Sequence, residues 1–380
     1  METDEQAPDD SAEKVDVETS LPPPPVEPPA RESSWRDAAW LPMTLRIVFG
    51  LVVLIVTWCF YVSRMPVVFD VNERAAQRAL ERGHIESEDQ PLPSGYTTVS
   101  TVIELTNWML KKPGGFLHND RLAPNAYLID NMPNFELGAV NELRDTVEAF
   151  RMIFSRPRAQ SVELPYLINA HRYYSFQPDR WMVPPSEAQY RKGRELVELY
   201  LEAIVEGREG SGLFVSRQDA LERFLKTRAD RLGSFSVQLR AASPEGYAFN
   251  PKVETQNLAT TPDPISSEYQ GDILRDVTPW HKRDDVFYEV RGSVYVMYHV
   301  LLALRTDFEG ELNDKRAMGQ MNRIISELHA ASQPLICPVV LNGSEYGFFH
   351  NHSVTAAMHI AKAHVAVNDL RVLLRGGSDG

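Results

Sequence analysis

The run Ile47–Ser63, IVFGLVVLIVTWCFYVS, contains no charged residue and is closed by Arg46 and Arg64. As a helix it covers roughly 25 Å. The apolar neighbours Leu45 and Met65–Phe69 carry it past the ~30 Å hydrocarbon core of a bilayer if both arginines lay their stems along the lipid. A run of this length and purity predicts a transmembrane helix over residues 45–69. A cleaved signal peptide would need a short basic leader and a small-residue cleavage site. Here a long acidic stretch precedes the run, which ends in Ser63-Arg64-Met65-Pro66-Val67 with no A-x-A pattern. The expectation is one uncleaved anchor.

Residues 1–45 hold eleven acidic side chains against Lys14, Arg31 and Arg36, a share of −8 in the net charge of −13. Leu21–Ala30, LPPPPVEPPA, prefers polyproline II and cannot build a packed core. Residues 1–44 are therefore expected to be a disordered, solvated tail. The arginines flanking the span nearly balance, with Arg31, Arg36 and Arg46 before it and Arg64, Arg74, Arg78 and Arg82 after it. Charge does not set the orientation. Insertion does: a long domain following a signal anchor is exported largely regardless of its charge, which favours a cytoplasmic tail and an exported body.

The body, residues 70–380, has Cys337 as its single cysteine, because Cys59 lies in the span, so it forms no internal disulfide. A chain of roughly 310 residues buries enough surface to be stable without one. Arg74, Arg78 and Arg82 recur every four residues and read as one solvated helix face. An acidic chain with no basic cluster is a poor partner for nucleic acid.

Periodicity makes the body mainly α. Val99–Lys111 is apolar at Val99, Val102, Ile103, Leu105 and Met109, and Pro113-Gly114-Gly115 stops it. Asn134 is expected to cap a helix with the stripe Val140, Leu143, Val147, Phe150 and Phe154. Ser186–Gln189 and Ser216–Asp219 have capping-box form, the second helix ending at Gly233. Further helical pattern covers Asp285–Arg305, Asp314–Ala331 and Ser353–Leu374, the first with Val294, Tyr298 and Leu301 inward. The stretch 243–276 is rich in Pro, Ser, Thr, Asn and Asp without a period. It reads as a long connection that could subdivide the body. Only Leu335–Leu341 hints at a strand.

Two segments, Lys112-Pro-Gly-Gly-Phe-Leu-His-Asn-Asp120 and Leu128-Ile-Asp-Asn-Met-Pro-Asn-Phe-Glu136, resemble a family of uncharacterised proteobacterial membrane proteins, catalogued as a domain of unknown function. The resemblance continues through Thr278–Trp280, Asp285–Arg305 and Val340–Ser353, and covers most of Val71–Arg375. It implies a single-pass protein of the bacterial inner membrane with one N-terminal span. It supplies no activity and no catalytic residue.

The candidate ligand-binding residues are Asp120, Asp130, Asn131, His350 and His352. Two histidines at i and i+2 of an extended segment point to one side and could offer two metal ligands, with Asp120, Asp130 or His118 completing a site. Against this, H-E-x-x-H and Cys/His pairings are absent, and turn segments dense in Asn and Asp normally satisfy their own backbone. No metal and no cofactor is expected, and Asn119, Asp120, Asp130 and Asn131 read as staples between loops. Cys337, before Pro338, reads as a small buried hydrophobe. The aromatic group Tyr173, Tyr174, Phe176 and Trp181 reads as packing, with a partner-facing patch as the other possibility. Two functions follow from different classes. One is a membrane-anchored, non-enzymatic protein that binds envelope proteins or other envelope components. The other is a membrane-tethered hydrolase using the Asp120/Asp130 and His350/His352 regions.

Overall fold

The structure is a computed structural model and describes residues 35–87, 90–122, 124–156, 162–207, 214–243, 278–333, 335, 340 and 351–376. The tail 1–34, the stretch 244–277, Cys337 and His350 lie outside the described residues, as does most of the strand expected at 335–341. The described residues are helical throughout, with no strand among them. The chain divides between Leu54 and Ile55.

In the first unit the described residues are the greater part of α1 (Trp35–Val62). Within that helix Pro42–Val62 is long and apolar enough to cross a membrane, with a mean hydropathy of 2.3. A core helix of a soluble domain would bury such a sequence. Only 6% of the apolar window is buried here, so its Val, Leu and Phe side chains face outward.

The second unit holds the last two turns of α1 and the body: α2 (Val71–Glu81), α3 (Tyr96–Lys111), the single turn α4 (Asn125–Leu128), α5 (Asn131–Ala149), α6 (Pro165–Tyr174), α7 (Ser186–Glu206), α8 (Gln218–Ala241), α9 (Arg283–Asp307), α10 (Glu309–Asp314), α11 (Met318–Ser332) and α12 (His352–Arg375). The central element is α9, which packs against α2, α3, α5, α8 and α11. Val290, Val294, Val296, Met297, Val300, Leu301, Ala303 and Leu304 are all buried, so it is apolar nearly all round, as an interior helix must be. Around it α8 packs on α12, α12 on α11, and α7 on α3 and α6.

Two glycines decide how α5 meets α9. A Cβ on Gly138 would stand 1.8 Å from the Glu289 carbonyl oxygen, and one on Gly292 would stand 1.9 Å from that of Phe135. The backbones touch, and Ser293 Oγ donates to the Gly138 carbonyl at 2.9 Å across the crossing. The same face of α5 is pinned to α8 by a buried pair, Arg228 Nη1 to Glu142 Oε1 at 2.5 Å, with the guanidinium also lying over Phe224.

The connector from α1 to α2 is tied to α9 at two points. Tyr295 Oη donates to the Val67 carbonyl at 3.0 Å. His299 Nδ1 donates to the Tyr295 carbonyl at 2.7 Å, which leaves Nε2 to accept the Phe69 amide at 3.3 Å, with the Phe69 ring stacked on the imidazole. This pattern needs a neutral ring, and burial pushes the His299 pKa down to about 4.

Several expected boundaries move, each for a local reason. Asp130, not Asn134, is the N-cap of α5, which starts at Asn131. Pro133 falls in the first turn, where no amide donor is required. Asn134 instead donates to the Asp130 carbonyl at 3.1 Å and to Asp285 Oδ1 at 2.6 Å. Ser186 opens no capping box: it is the first residue of α7, and its hydroxyl donates to the carbonyls of Gln177 and Arg180. Nor does Ser216 cap α8, where Arg217 is the N-cap and Asp219 pairs with Arg217 and Arg223. That helix runs through Gly233 to Ala241, held by buried Leu232, Phe235 and Leu239 on either side. The pattern read as Asp314–Ala331 breaks at Arg316, whose φ of 52° ends α10 before α11 begins. Tyr298 is half-buried rather than inward, against His299 and His329.

Candidate functional site

The two motif segments fold around one carboxylate. At the end of α3, Pro113 stops the helix, and Gly114 and Gly115 take positive φ values of 83° and 70°. The turn brings the Leu117 and His118 amides onto Glu136 Oε2 at 2.7 and 2.8 Å, while Lys112 Nζ meets Oε1 at 2.7 Å. Glu136 is fully buried in the first part of α5. Burial drives its carboxyl up, and the Lys112 charge with the two amides draws it back down. His118 Nδ1 donates to the Pro133 carbonyl at 2.9 Å, and Asn119 Nδ2 donates to the Arg180 carbonyl and to Glu187, each at 2.8 Å. The motifs form a knot that ties α3, α5 and the start of α7 together.

Beside this knot, α2, α3 and α7 enclose an open polar groove of roughly 570 Å³. Its walls carry Arg78 and Arg82 from α2, Glu104, Trp108 and Lys111 from α3, and Arg194 and Glu198 from α7. Three guanidiniums converge on Glu198: Arg82 at 3.4 Å, Arg78 at 3.8 Å and Arg194 at 3.9 Å. Arg78 also meets Glu104 at 2.9 Å, and Arg194 donates to Asn107 at 2.6 Å. The three arginines are matched by Glu104, Glu198 and Glu202, the last lying 3.7 Å from Arg82, so the groove is a mixed-charge network with an indole as its flat apolar wall. At the rim His84 bridges Glu202, at 2.9 Å from Nε2, and the Tyr96 hydroxyl, at 3.0 Å from Nδ1. A carboxylate only accepts, so in the neutral ring Nε2 carries the proton and Nδ1 accepts from the phenol. The order hydroxyl–imidazole–carboxylate matches a nucleophile relay. The Tyr96 side chain is fully buried, however, and its phenol is pushed up to about 12 by that burial, so substrate cannot reach it.

A family model described as "Uncharacterized protein conserved in bacteria (DUF2333)" matches residues 33–377. The chain belongs to DUF2333. No curated protein and no solved structure matches it. The matched stretch takes in the apolar helix and the body alike, so both are parts of a DUF2333 chain.

The residues singled out from sequence fall in two places. Half-buried Asp120 accepts the Leu122 amide at 3.1 Å and Asn125 Nδ2 at 2.8 Å. Asp130 is exposed and accepts the Asn131 amide at 2.8 Å as the cap of α5; Asn131 is half-buried in its first turn. His352 is the first residue of α12, and its expected partner His350 lies outside the described residues. Asn351 caps that helix through the Val354 amide at 3.0 Å and ties it to Ser243 at the end of α8. Among the described residues no group of three or more His, Cys, Asp or Glu side chains is arranged to hold a metal ion. The aromatic group divides: Tyr174 is buried with its hydroxyl 2.6 Å from Thr106, and Trp181 is exposed.

The groove escaped sequence reading because its arginines looked solvated. Arg78 is largely buried and ion-paired against α3 and α7, whereas Arg74 and Arg82 are exposed as a solvated face requires, so the correction concerns Arg78. A signal existed: Glu198 and Glu202 repeat at the four-residue spacing of Arg74, Arg78 and Arg82. Nothing in one sequence pairs two such stripes.

Proposed function

We propose that this DUF2333 chain is a single-pass protein of the bacterial inner membrane, crossing the bilayer with α1, its tail 1–44 in the cytoplasm and its body exported. The body acts by binding, without catalysis, and the groove between α2, α3 and α7 takes a carboxylate- or phosphate-bearing envelope component. The observation that carries this reading is the gathering of Arg78, Arg82, Lys111 and Arg194 on one open groove beside Trp108. Arginine forks suit planar anions, which would exchange with the carboxylates of Glu104 and Glu198, and an indole face suits the apolar body of such a ligand. Asp120 and Asp130, which the hydrolase reading would use, hold their own loop amides.

A photo-crosslinking amino acid at Lys111, on the groove wall, tests the binding. In native membranes it should capture a specific acidic component, and capture should vanish with Arg82→Glu and weaken at high salt. Capture indifferent to both would remove the groove from the function.

A further inference from the structure

The body is not only hung from α1; its loops reach back along that helix. The Gly114 backbone packs on the last residue of α1, since a Cβ there would stand 3.2 Å from Val62 Cγ1. The Trp58 indole donates to Asn125 Oδ1 at 3.1 Å. Trp58 precedes Val62 by one turn, so the loop holding Asn125 extends about 6 Å down the helix from its end. That depth is an interfacial one: Trp58, Phe60 and Tyr61 are the aromatic residues of this turn, and the Arg64 guanidinium lies over Tyr61 at 5.9 Å. On either side of Asn125 the loop exposes Leu122 (61%) and Leu128 (62%). A second loop is joined to it by Asn119 donating to the Arg180 carbonyl and by Arg121 lying 3.9 Å from Asp179. This loop exposes Trp181, Met182 (57%) and Val183 (89%) in succession. Single exposed leucines are ordinary on a protein surface. Five large apolar side chains on two linked loops, one of them bonded to Trp58 near the end of α1, are not.

We infer that Leu122 and Leu128 of one loop and Trp181, Met182 and Val183 of the other form a lipid-facing foot, which enters the headgroup–acyl boundary of the leaflet where α1 ends. The inference rests on α1 crossing the bilayer. Its occupant is lipid because the surface continues that of the span itself. Burial of these side chains in the boundary provides the driving force, and exposed Arg121 stands at the level of the headgroup phosphates.

Spin-label accessibility in the full-length chain tests it. In a Cys59→Ser/Cys337→Ser background, nitroxides are placed by Leu122→Cys, Leu128→Cys or Met182→Cys, by Leu51→Cys in the span, and by Glu309→Cys on α10. The chains are reconstituted in vesicles of phosphatidylethanolamine and phosphatidylglycerol. The three foot positions and Leu51 should favour oxygen over a water-soluble nickel complex several-fold relative to Glu309. Foot labels as open to nickel as Glu309, with Leu51 immersed, overturn the foot and leave the span standing. An aqueous Leu51 overturns both. Foot labels open in pure lipid but shielded in native membranes overturn the lipid assignment in favour of a protein occupant. Three independent positions keep the test decisive if one variant fails to fold.

Discussion

Glu136 and Lys112 share a site that water does not reach, so the fate of each depends on the other. Replacing Glu136 by Ala strands a buried ammonium and two loop amides, and should cost about 3–5 kcal/mol. The double variant Glu136→Gln/Lys112→Met should lose clearly less than the sum of the single changes in urea unfolding. Additive losses would mean that the pair is not coupled. His299 gives a pH signature. Its imidazole titrates near 6.5 in an unfolded chain and at about 4 when folded. The folded protein therefore binds fewer protons through this group. Its contribution is full above pH ~6.5 and is lost as pH falls towards 4, by about 3 kcal/mol. Buried Asp307 works the other way, its carboxyl being raised to about 6, so the informative quantity is the difference between wild type and His299→Gln. Unfolding midpoints from about pH 7 to pH 4 should fall less in the variant, and parallel profiles would clear His299 of the effect. Both groups show where sequence reading stops. Lys112, His118 and Glu136 stand inside the two motifs, yet a linear pattern carries no burial and does not set Lys112 and Glu136 apart from the Asn and Asp of the turns. Asp130 is an exposed helix cap, and Asp130→Ala should cost about 1 kcal/mol in thermal unfolding rather than the penalty of a buried partner.

Helices with wide apolar stripes were legible from spacing alone. Leu143 and Leu301 are fully buried as their periodicity requires, and Leu→Ala at either should cost about 2–5 kcal/mol in equilibrium unfolding. Elements whose buried face is small were not legible. The inward face of α2 is Val71, Ala75 and Ala79, too weak an apolar signal to give bounds to the helix that the arginine repeat alone suggested. Helix α6 begins with Pro165 and buries only Leu167, Ala170 and Tyr174. The crossing of α5 and α9 was hidden for the opposite reason. A glycine inside a helix reads as a local cost. At Gly138 and Gly292 that cost is outweighed by backbone contact across the core. Gly138→Ala, an improvement by propensity, should therefore destabilise the protein by at least 1–3 kcal/mol through overpacking, and Gly292→Ala likewise. An unchanged melting temperature in either variant would show that the helices can part without penalty.

For the whole molecule the primary prediction is orientation. Alkaline phosphatase fused after Gly380 should be active, and a fluorescent protein that folds only in cytoplasm should stay dark at the same point. The reverse pattern would place the body in the cytoplasm. The sequence marked the helix that is long and apolar enough to cross a membrane and the helical class of the body, since both rest on local pattern. Neither the groove nor the knot was visible: the groove is assembled from stripes far apart in the chain, and the knot rests on burial that a linear pattern does not carry. The connector between α1 and α2 carries one more consequence. Eight residues, Ser63–Asp70, join the end of the span to the first body helix, and Val67 and Phe69 among them are bound to Tyr295 and His299. This is a leash with no slack. If α1 crosses a bilayer as proposed, a body on so short a connector would not swing outward, whatever it binds would have to arrive at the membrane surface, and lengthening the connector with a flexible insert should cost recognition rather than extend its range.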